Sequence, residues 1–143
     1  MAAGFSVPIR PRYGEVDSMG VVYHGHYLAY FDVGRTERMR ALGCRYADLE
    51  ARGFRLAVVE VGVRYLRPAR YDEDLRLGVS VTGVGGATVA FDYELRRGDE
   101  DLARGHTRLG CLDADNRPVR MPDDAAAALR RGMDEDAEAS KAP

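Results

Sequence analysis

The chain has 143 residues and a mass of 15.8 kDa, a length that suits one domain with a core of its own. With 45% hydrophobic and 31% charged residues it is not a wholly disordered chain, and no stretch approaches the roughly 20 apolar residues of a membrane span. A formal net charge of -2 argues against a non-specific nucleic-acid binder, which would be basic. Residues 5–12, FSVPIRPR, alternate loosely and carry Pro8 and Pro11, so they predict an edge strand, where a missing N–H is tolerated. A glycine-punctuated loop, YGEVDSMGVVYHG, follows. His26 to Leu42 predicts a helix closed by Gly43. Tyr27, Leu28, Tyr30, Phe31 and Val33 cover its first turns, which should be buried; Arg35, Glu37, Arg38 and Arg40 should bring its later turns to solvent. Gly34 predicts close approach of another backbone.

A short helix is expected around residues 46–52. Then the period changes to two. FRLAVVEVGVRYLRPA (54–69), DLRLGVSVTGVG (74–85), ATVAFDYELRR (87–97) and DLARGHTRLGCLD (101–113) read as long antiparallel strands, with turn signals at 71–74, Gly85-Gly86 and Gly98-Asp99. Pro122 opens a short alanine-rich helix. Residues 133–143 are acidic and small, without an apolar period, and are expected to be disordered; residues 1–132 are read as a single domain. The order β–α–β–β–β–β predicts an α+β fold, an antiparallel sheet wrapped around one central helix. One sheet leaves apolar surface uncovered, so a homodimer is the expected completion. Met1 to Phe5 has no basic or apolar signal character, and Cys44 and Cys111 suffice neither for a disulfide framework nor for a four-ligand zinc site. A cytoplasmic protein with reduced thiols is expected.

The chemistry is concentrated between Tyr13 and Leu28. There the sequence places the Asp17 carboxylate, the imidazoles of His24 and His26, and Gly14, Gly20 and Gly25 in a strand-to-helix loop. The helix that follows offers free N–H groups and the positive end of its dipole, which suit the oxyanion formed by attack on a thioester or ester. His24 and His26 are spaced i and i+2, which diverge on a helix and do not make a zinc pair. His26 and His106 are read as structural, and neither cysteine is read as a nucleophile.

The run Y-x-E-x-D-x-x-G-V-V-Y-H-x-x-Y-L-x-Y-F-D-x-x-R-T-E, from Tyr13 to Glu37, resembles the signature of the 4-hydroxybenzoyl-CoA thioesterase family of hotdog-fold proteins. The segment V-R-Y-L-R-P-A-R-Y-D-E-D-L, Val63 to Leu75, matches it too. The resemblance is strongest to the bacterial acyl-CoA thioesterases associated with the Tol–Pal system, and with the element order it covers about residues 5–130. It departs in Glu15 and Val16, where that branch usually has Asp and Thr, and in Asp32, where it has Glu. The resemblance implies a hotdog fold, dimers that pair into tetramers, and a site between subunits with no metal and no cofactor, coenzyme A being part of the substrate. It implies that Asp17 attacks the thioester carbonyl or activates water. It implies that the backbone N–H groups of His24 and Gly25 bind the carbonyl oxygen, with the His24 ring orienting Asp17 or the water. A thiol with a pKa near about 8.5 leaves without a strong general acid.

Tyr23 and Tyr27 are expected to line the substrate pocket. Asp32 is expected to be a pocket-side carboxylate or one paired to an arginine; in a rival scheme Asp32 is itself the catalytic acid, with Thr36 one turn on. Arg64, Arg67 and Arg70 are either solvated strand-edge arginines or a clamp on the phosphates of coenzyme A, whose oxygens match the guanidinium fork. The expected activity is hydrolysis of an acyl-CoA to free acid and CoA. A non-catalytic module that binds acyl-CoA or acyl-carrier protein, and a hotdog dehydratase, are the alternatives.

Overall fold

A computed structural model describes residues 4–141. Strand β1 (Ser6–Ile9) leads through a 3-10 turn, Tyr13–Glu15, to helix α1 (His26–Ala41) and the short α2 (Tyr46–Ala51). Strands β2 (Arg55–Tyr65), β3 (Leu75–Val84), β4 (Thr88–Arg97) and β5 (Glu100–Leu112) follow, and α3 (Asp123–Ser140) closes the chain. The five strands make one antiparallel sheet in the order β1-β3-β4-β5-β2. The α+β hotdog architecture expected from the element order is therefore the one observed, and Pro8 lies in an edge strand.

Alternation decides which side of the sheet is covered. Leu75, Leu77, Val79 and Val81 of β3 and Val89, Phe91, Tyr93 and Leu95 of β4 are all buried, and they form the inner face under the helices. Helix α1 packs there through close, shape-specific contacts. Phe31 stacks flat on Tyr93, ring centroids 4.3 Å apart, and its ring fills the space left by the absent side chain of Gly105. A Cβ on Gly34 would fall 2.6 Å from Leu77 and 2.8 Å from Val79. Gly34 is thus required by side chains of β3, where the sequence suggested an approaching backbone. Truncating Phe31 to alanine in such a setting costs about 3–5 kcal/mol.

The exposed face of α1 differs from expectation. Leu28 and Val33 are 39% and 50% exposed, whereas Arg35 and Arg38 are buried. Arg38 is covered because α3 is longer than the sequence suggested, whereas Arg40 is exposed as expected. Residues 133–140, expected to be disordered, continue the helix to Ser140 and pack it against β3. The acidic run holds structure because one of its carboxylates is used internally. Asp136 accepts hydrogen bonds from the Arg38 guanidinium and from the Val81 N–H. Residues 142 and 143 lie outside the described residues. Strand β2 forms the other edge of the sheet, with Val58, Val59 and Val61 at 44–55% exposure. Among the described residues no helix is long and apolar enough to cross a membrane.

Candidate active site

The loop before α1 is tied at three levels. At its base Val16 and Val22 form an isolated antiparallel bridge, and the Asp17 N–H donates to Val21 O at 2.9 Å. Gly20, at φ 78, turns the chain back and donates its N–H to Asp17 O. The Asp17 carboxylate accepts the Met19 N–H at 2.8 Å through Oδ1. Asp17 is therefore a turn aspartate in its local bonding, and this bonding fixes its direction.

Below it, Glu15 is buried with its carboxylate accepting the Arg12 N–H at 2.7 Å and the Tyr30 hydroxyl at 2.9 Å, while its carbonyl accepts the Tyr23 N–H. Burial by itself would raise the Glu15 pKa, but the hydrogen bonds from Arg12 and Tyr30 outweigh it and hold the carboxyl below its ordinary value. Burial, with the Glu15 charge beside it, drives the Tyr30 hydroxyl far up, so it remains a donor.

On the far side, residues after β2 hold the loop. Ala69 O accepts the Val22 N–H at 2.8 Å, and the Ala69 N–H donates to the Tyr27 hydroxyl at 3.2 Å. The Tyr65 hydroxyl donates to His24 O at 2.8 Å, and its ring meets Tyr27 edge-on at 4.9 Å. These bonds leave a cavity of about 330 Å³ lined by Asp17, Val22, His24, Tyr27, Tyr65 and Arg67, with Met19, Val21, Leu66 and Pro68 at its walls. Its lining is mostly apolar and includes one carboxylate residue, Asp17, and one arginine, Arg67. The first turn of α1 begins here. The N–H groups of His26, Tyr27 and Leu28 are bonded to Tyr23 O, His24 O and Gly25 O. Those of His24 and Gly25 have no partner among the described residues.

Asp17, His24, Tyr27 and Arg67 are thus brought together, with Gly25 at the N-cap of α1. The other expected residues are not. Tyr23 turns its ring onto His24, at 4.3 Å, and His26, outside the cavity lining. Asp32 lies about 140° round the helix from Tyr27. Its side chain is 59% exposed and pairs with Arg35 at 2.8 Å, so the arginine-paired alternative describes it and a place in this cavity does not. Arg64 is on the opposite face of the sheet from Tyr65, as strand alternation requires, and lines a separate groove with Asp92, Arg104 and His106. Arg70 is exposed beyond Ala69, its N–H bonded to Glu73. Arg67 is ion-paired with Glu100 at 3.0 Å. No hydrogen bond joins the His24 ring to Asp17; the ring packs against Tyr23 and Tyr65 instead. Tyr65 and Leu66 are cavity residues that sequence reasoning passed over. The signal available was their place between the two arginines of the second motif.

A five-stranded antiparallel sheet wrapped on one helix is the hotdog fold, and the relatives of this chain make it a thioester hydrolase of that fold. Residues 11–129 match the Thioesterase-like superfamily, and the chain belongs to it. It is 34% identical over 128 residues to acyl-CoA thioesterase YbgC of Haemophilus influenzae, covering 88% of this chain and 94% of that protein. It is 29% identical over 118 residues to acyl-CoA thioester hydrolase YbgC of Escherichia coli, covering 82% and 85%. Among solved structures, a DHNA-CoA thioesterase from Staphylococcus aureus superimposes with a TM-score of 0.87 at 30% identity, covering 93% of each chain. The protein TT1821 of Thermus thermophilus gives 0.86 at 33% identity, over 89% of this chain and 98% of that one.

Proposed function

We propose that this protein hydrolyses acyl-CoA thioesters to free acid and CoA, as a member of the 4-hydroxybenzoyl-CoA thioesterase family close to its Tol–Pal-associated branch. The observation that carries the reading is that Asp17 lines the same cavity as His24 and Tyr27 at the start of α1, where the His24 and Gly25 N–H groups have no partner among the described residues. The thioester carbonyl sits with its oxygen on those N–H groups. Either Asp17 attacks the carbonyl carbon, giving a mixed anhydride that water then cleaves to the free acid and the restored carboxylate, or Asp17 takes a proton from a water that attacks directly. The negative charge that develops on oxygen is met by donors already in place, and the thiolate leaves. The acyl group lies against Tyr27, Tyr65 and Leu66, and the CoA arm leaves past Arg67. The chemistry calls on a carboxylate, backbone donors and water, with coenzyme A entering as part of the substrate.

The working unit is a homodimer, with dimers pairing into tetramers. What supports it is the apolar free edge of β2, beside the end of the cavity that Tyr65 and Leu66 line. Free Cys44 and Cys111, both buried, fit the reducing cytoplasm.

The test is thiol release across a panel of short, medium and aromatic acyl-CoAs, with Asp17→Asn as control. The variant is expected to fold and to lose about three or more orders of magnitude in kcat, since it removes the nucleophile or base. Full turnover in Asp17→Asn with none in Asp32→Asn would transfer the chemistry to the helix carboxylate. Saturable binding of acyl-CoA without turnover in the wild type would make the protein a binding module.

A further inference from the structure

The peptide unit between His24 and Gly25 carries two functions at once. Its N–H, on Gly25, is one of the two unbonded donors at the start of α1; its C=O, on His24, accepts the Tyr65 hydroxyl at 2.8 Å and the Tyr27 N–H at 3.4 Å. In a trans peptide the C=O and the N–H point in opposite directions in one plane, and no peptide bond among the described residues is cis. Whatever holds the His24 oxygen therefore aims the Gly25 N–H. The Tyr27 N–H contact is long, so the Tyr65 hydroxyl is the shorter of the two restraints.

We propose that Tyr65 is a positioning residue for the oxyanion donors: its hydroxyl, at the end of β2, fixes the plane of the His24–Gly25 peptide and polarises it. The inference rests on the acyl-CoA hydrolase reading for its catalytic consequence, not for its geometry. Three features of the site make the role specific. Tyr65 reaches across 41 residues of sequence to a backbone atom, so it joins the sheet to the helix start. Its ring is set by an edge contact with Tyr27 at 4.9 Å, and Tyr27 is in turn held by Ala69, so the hydroxyl is delivered from a braced position. A hydrogen bond accepted by a peptide C=O strengthens the same peptide as a donor, because the dipoles align. Burial and the neighbouring tyrosines push the Tyr65 hydroxyl up, so it stays protonated and donating across the neutral range.

Removing the hydroxyl alone separates this role from lining. Tyr65→Phe keeps the ring and the cavity wall, and should lower kcat on acyl-CoA about fivefold to tenfold, on the scale of one neutral hydrogen bond, with KM unchanged and only a small fall in the thermal midpoint. Tyr65→Ala also removes the wall and should raise KM as well. In the free protein, the amide resonance of Gly25 should shift in Tyr65→Phe, a readout that needs no substrate. Wild-type kcat in Tyr65→Phe, or an unmoved Gly25 resonance, overturns the positioning role, as does a loss confined to KM. A wild-type protein that turns over no acyl-CoA overturns the hydrolase reading instead. The Gly25 resonance then decides the anchoring by itself.

Discussion

Arg38 of α1 and Asp136 of α3 form a two-point ion pair across 98 residues of sequence, Nη2 to Oδ1 at 2.8 Å and Nε to Oδ2 at 3.3 Å, with side-chain exposures of 8% and 4%. The pair is completed by the Val81 N–H, which donates to Asp136 Oδ2 next to the bulge in β3, and by Phe5, whose ring lies 5.2 Å under the Arg38 guanidinium. One carboxylate thus joins the C-terminal helix, the central helix and the sheet. Deleting one partner of a buried pair costs about 3–5 kcal/mol; here Glu135, 3.5 Å from the Arg38 guanidinium, remains after loss of Asp136, so the cost is expected at the lower end. Asp136→Ala is expected to lower the unfolding free energy by that amount, read as a fall in the urea midpoint at unchanged m, and to fray α3 beyond Met133. Exchanging both partners for apolar residues of similar volume should recover much of the loss. A midpoint within error of wild type for Asp136→Ala would show that the helix end is dispensable.

That pair also explains what the sequence left unread. The strands were legible because alternation survives burial on one face, as in LRLGVSV, and α1 because its start and its Gly43 stop are local signals. The end of α3 was not, because Met133-Asp134-Glu135-Asp136 resembles a solvated tail unless the arginine that meets it is known, and Arg38 is a partner from another element. The site divides the same way. Asp17, His24 and Gly25 could be located from a contiguous motif. Tyr65 lies within the second motif, but its role was not legible there, because its contact is with a backbone atom and leaves no side-chain signature at the other end. Arg64 and Arg67 look equivalent in sequence, and only strand alternation places the first on the outer face.

Glu15 should give the site an acid limit. Its folded pKa lies below the unfolded one, the hydrogen bonds of Arg12 and Tyr30 having overcome the opposing effect of burial. The stability it contributes is therefore present above the unfolded pKa and is lost as pH falls through the folded value. Glu15→Gln should be destabilised relative to wild type near about pH 7, by about 1–3 kcal/mol, and the gap should narrow on going to about pH 3. Urea midpoints at the two pH values decide it. A gap that widens toward acid would mean that the hydrogen bonds to Glu15 favour its protonated form.

Arg67 is the arginine of the second motif that reaches the cavity margin, and it is shared with Glu100. A phosphate of coenzyme A has to compete with that carboxylate, so the net gain is expected at the low end of an arginine–phosphate contact, about 1–2 kcal/mol. Arg67→Ala should raise KM for acyl-CoA about fivefold to twentyfold with kcat nearly unchanged. The corresponding acyl-pantetheine, without the nucleotide, should be indifferent. Arg64→Ala, on the opposite face, serves as the comparison: a similar selective loss there would mean that the nucleotide crosses the sheet edge to the outer groove. Equal losses on both substrates would assign Arg67 to folding.

The β2 edge supplies the last prediction. An exposed strand of 11 residues with Val58, Val59 and Val61 in solvent offers both unpaired backbone groups and apolar side chains, the combination that natural edges avoid unless it is covered. A second copy pairing along β2 would cover it and would bring the partner's β2 beside Tyr65 and Leu66, at one end of the cavity. Val61→Glu places a charge in the middle of that edge without touching the core, since Val61 is 44% exposed in the single chain. The variant should sediment as a 15.8 kDa monomer at low micromolar concentration while the wild type sediments as a dimer or larger. Its thermal midpoint should fall by the amount the association contributed, and it should recover as protein concentration rises. If the site depends on the partner, activity should recover over the same concentration range. A wild type that is monomeric and fully active at that concentration would show that the edge is tolerated as it stands and that the cavity is complete within one chain.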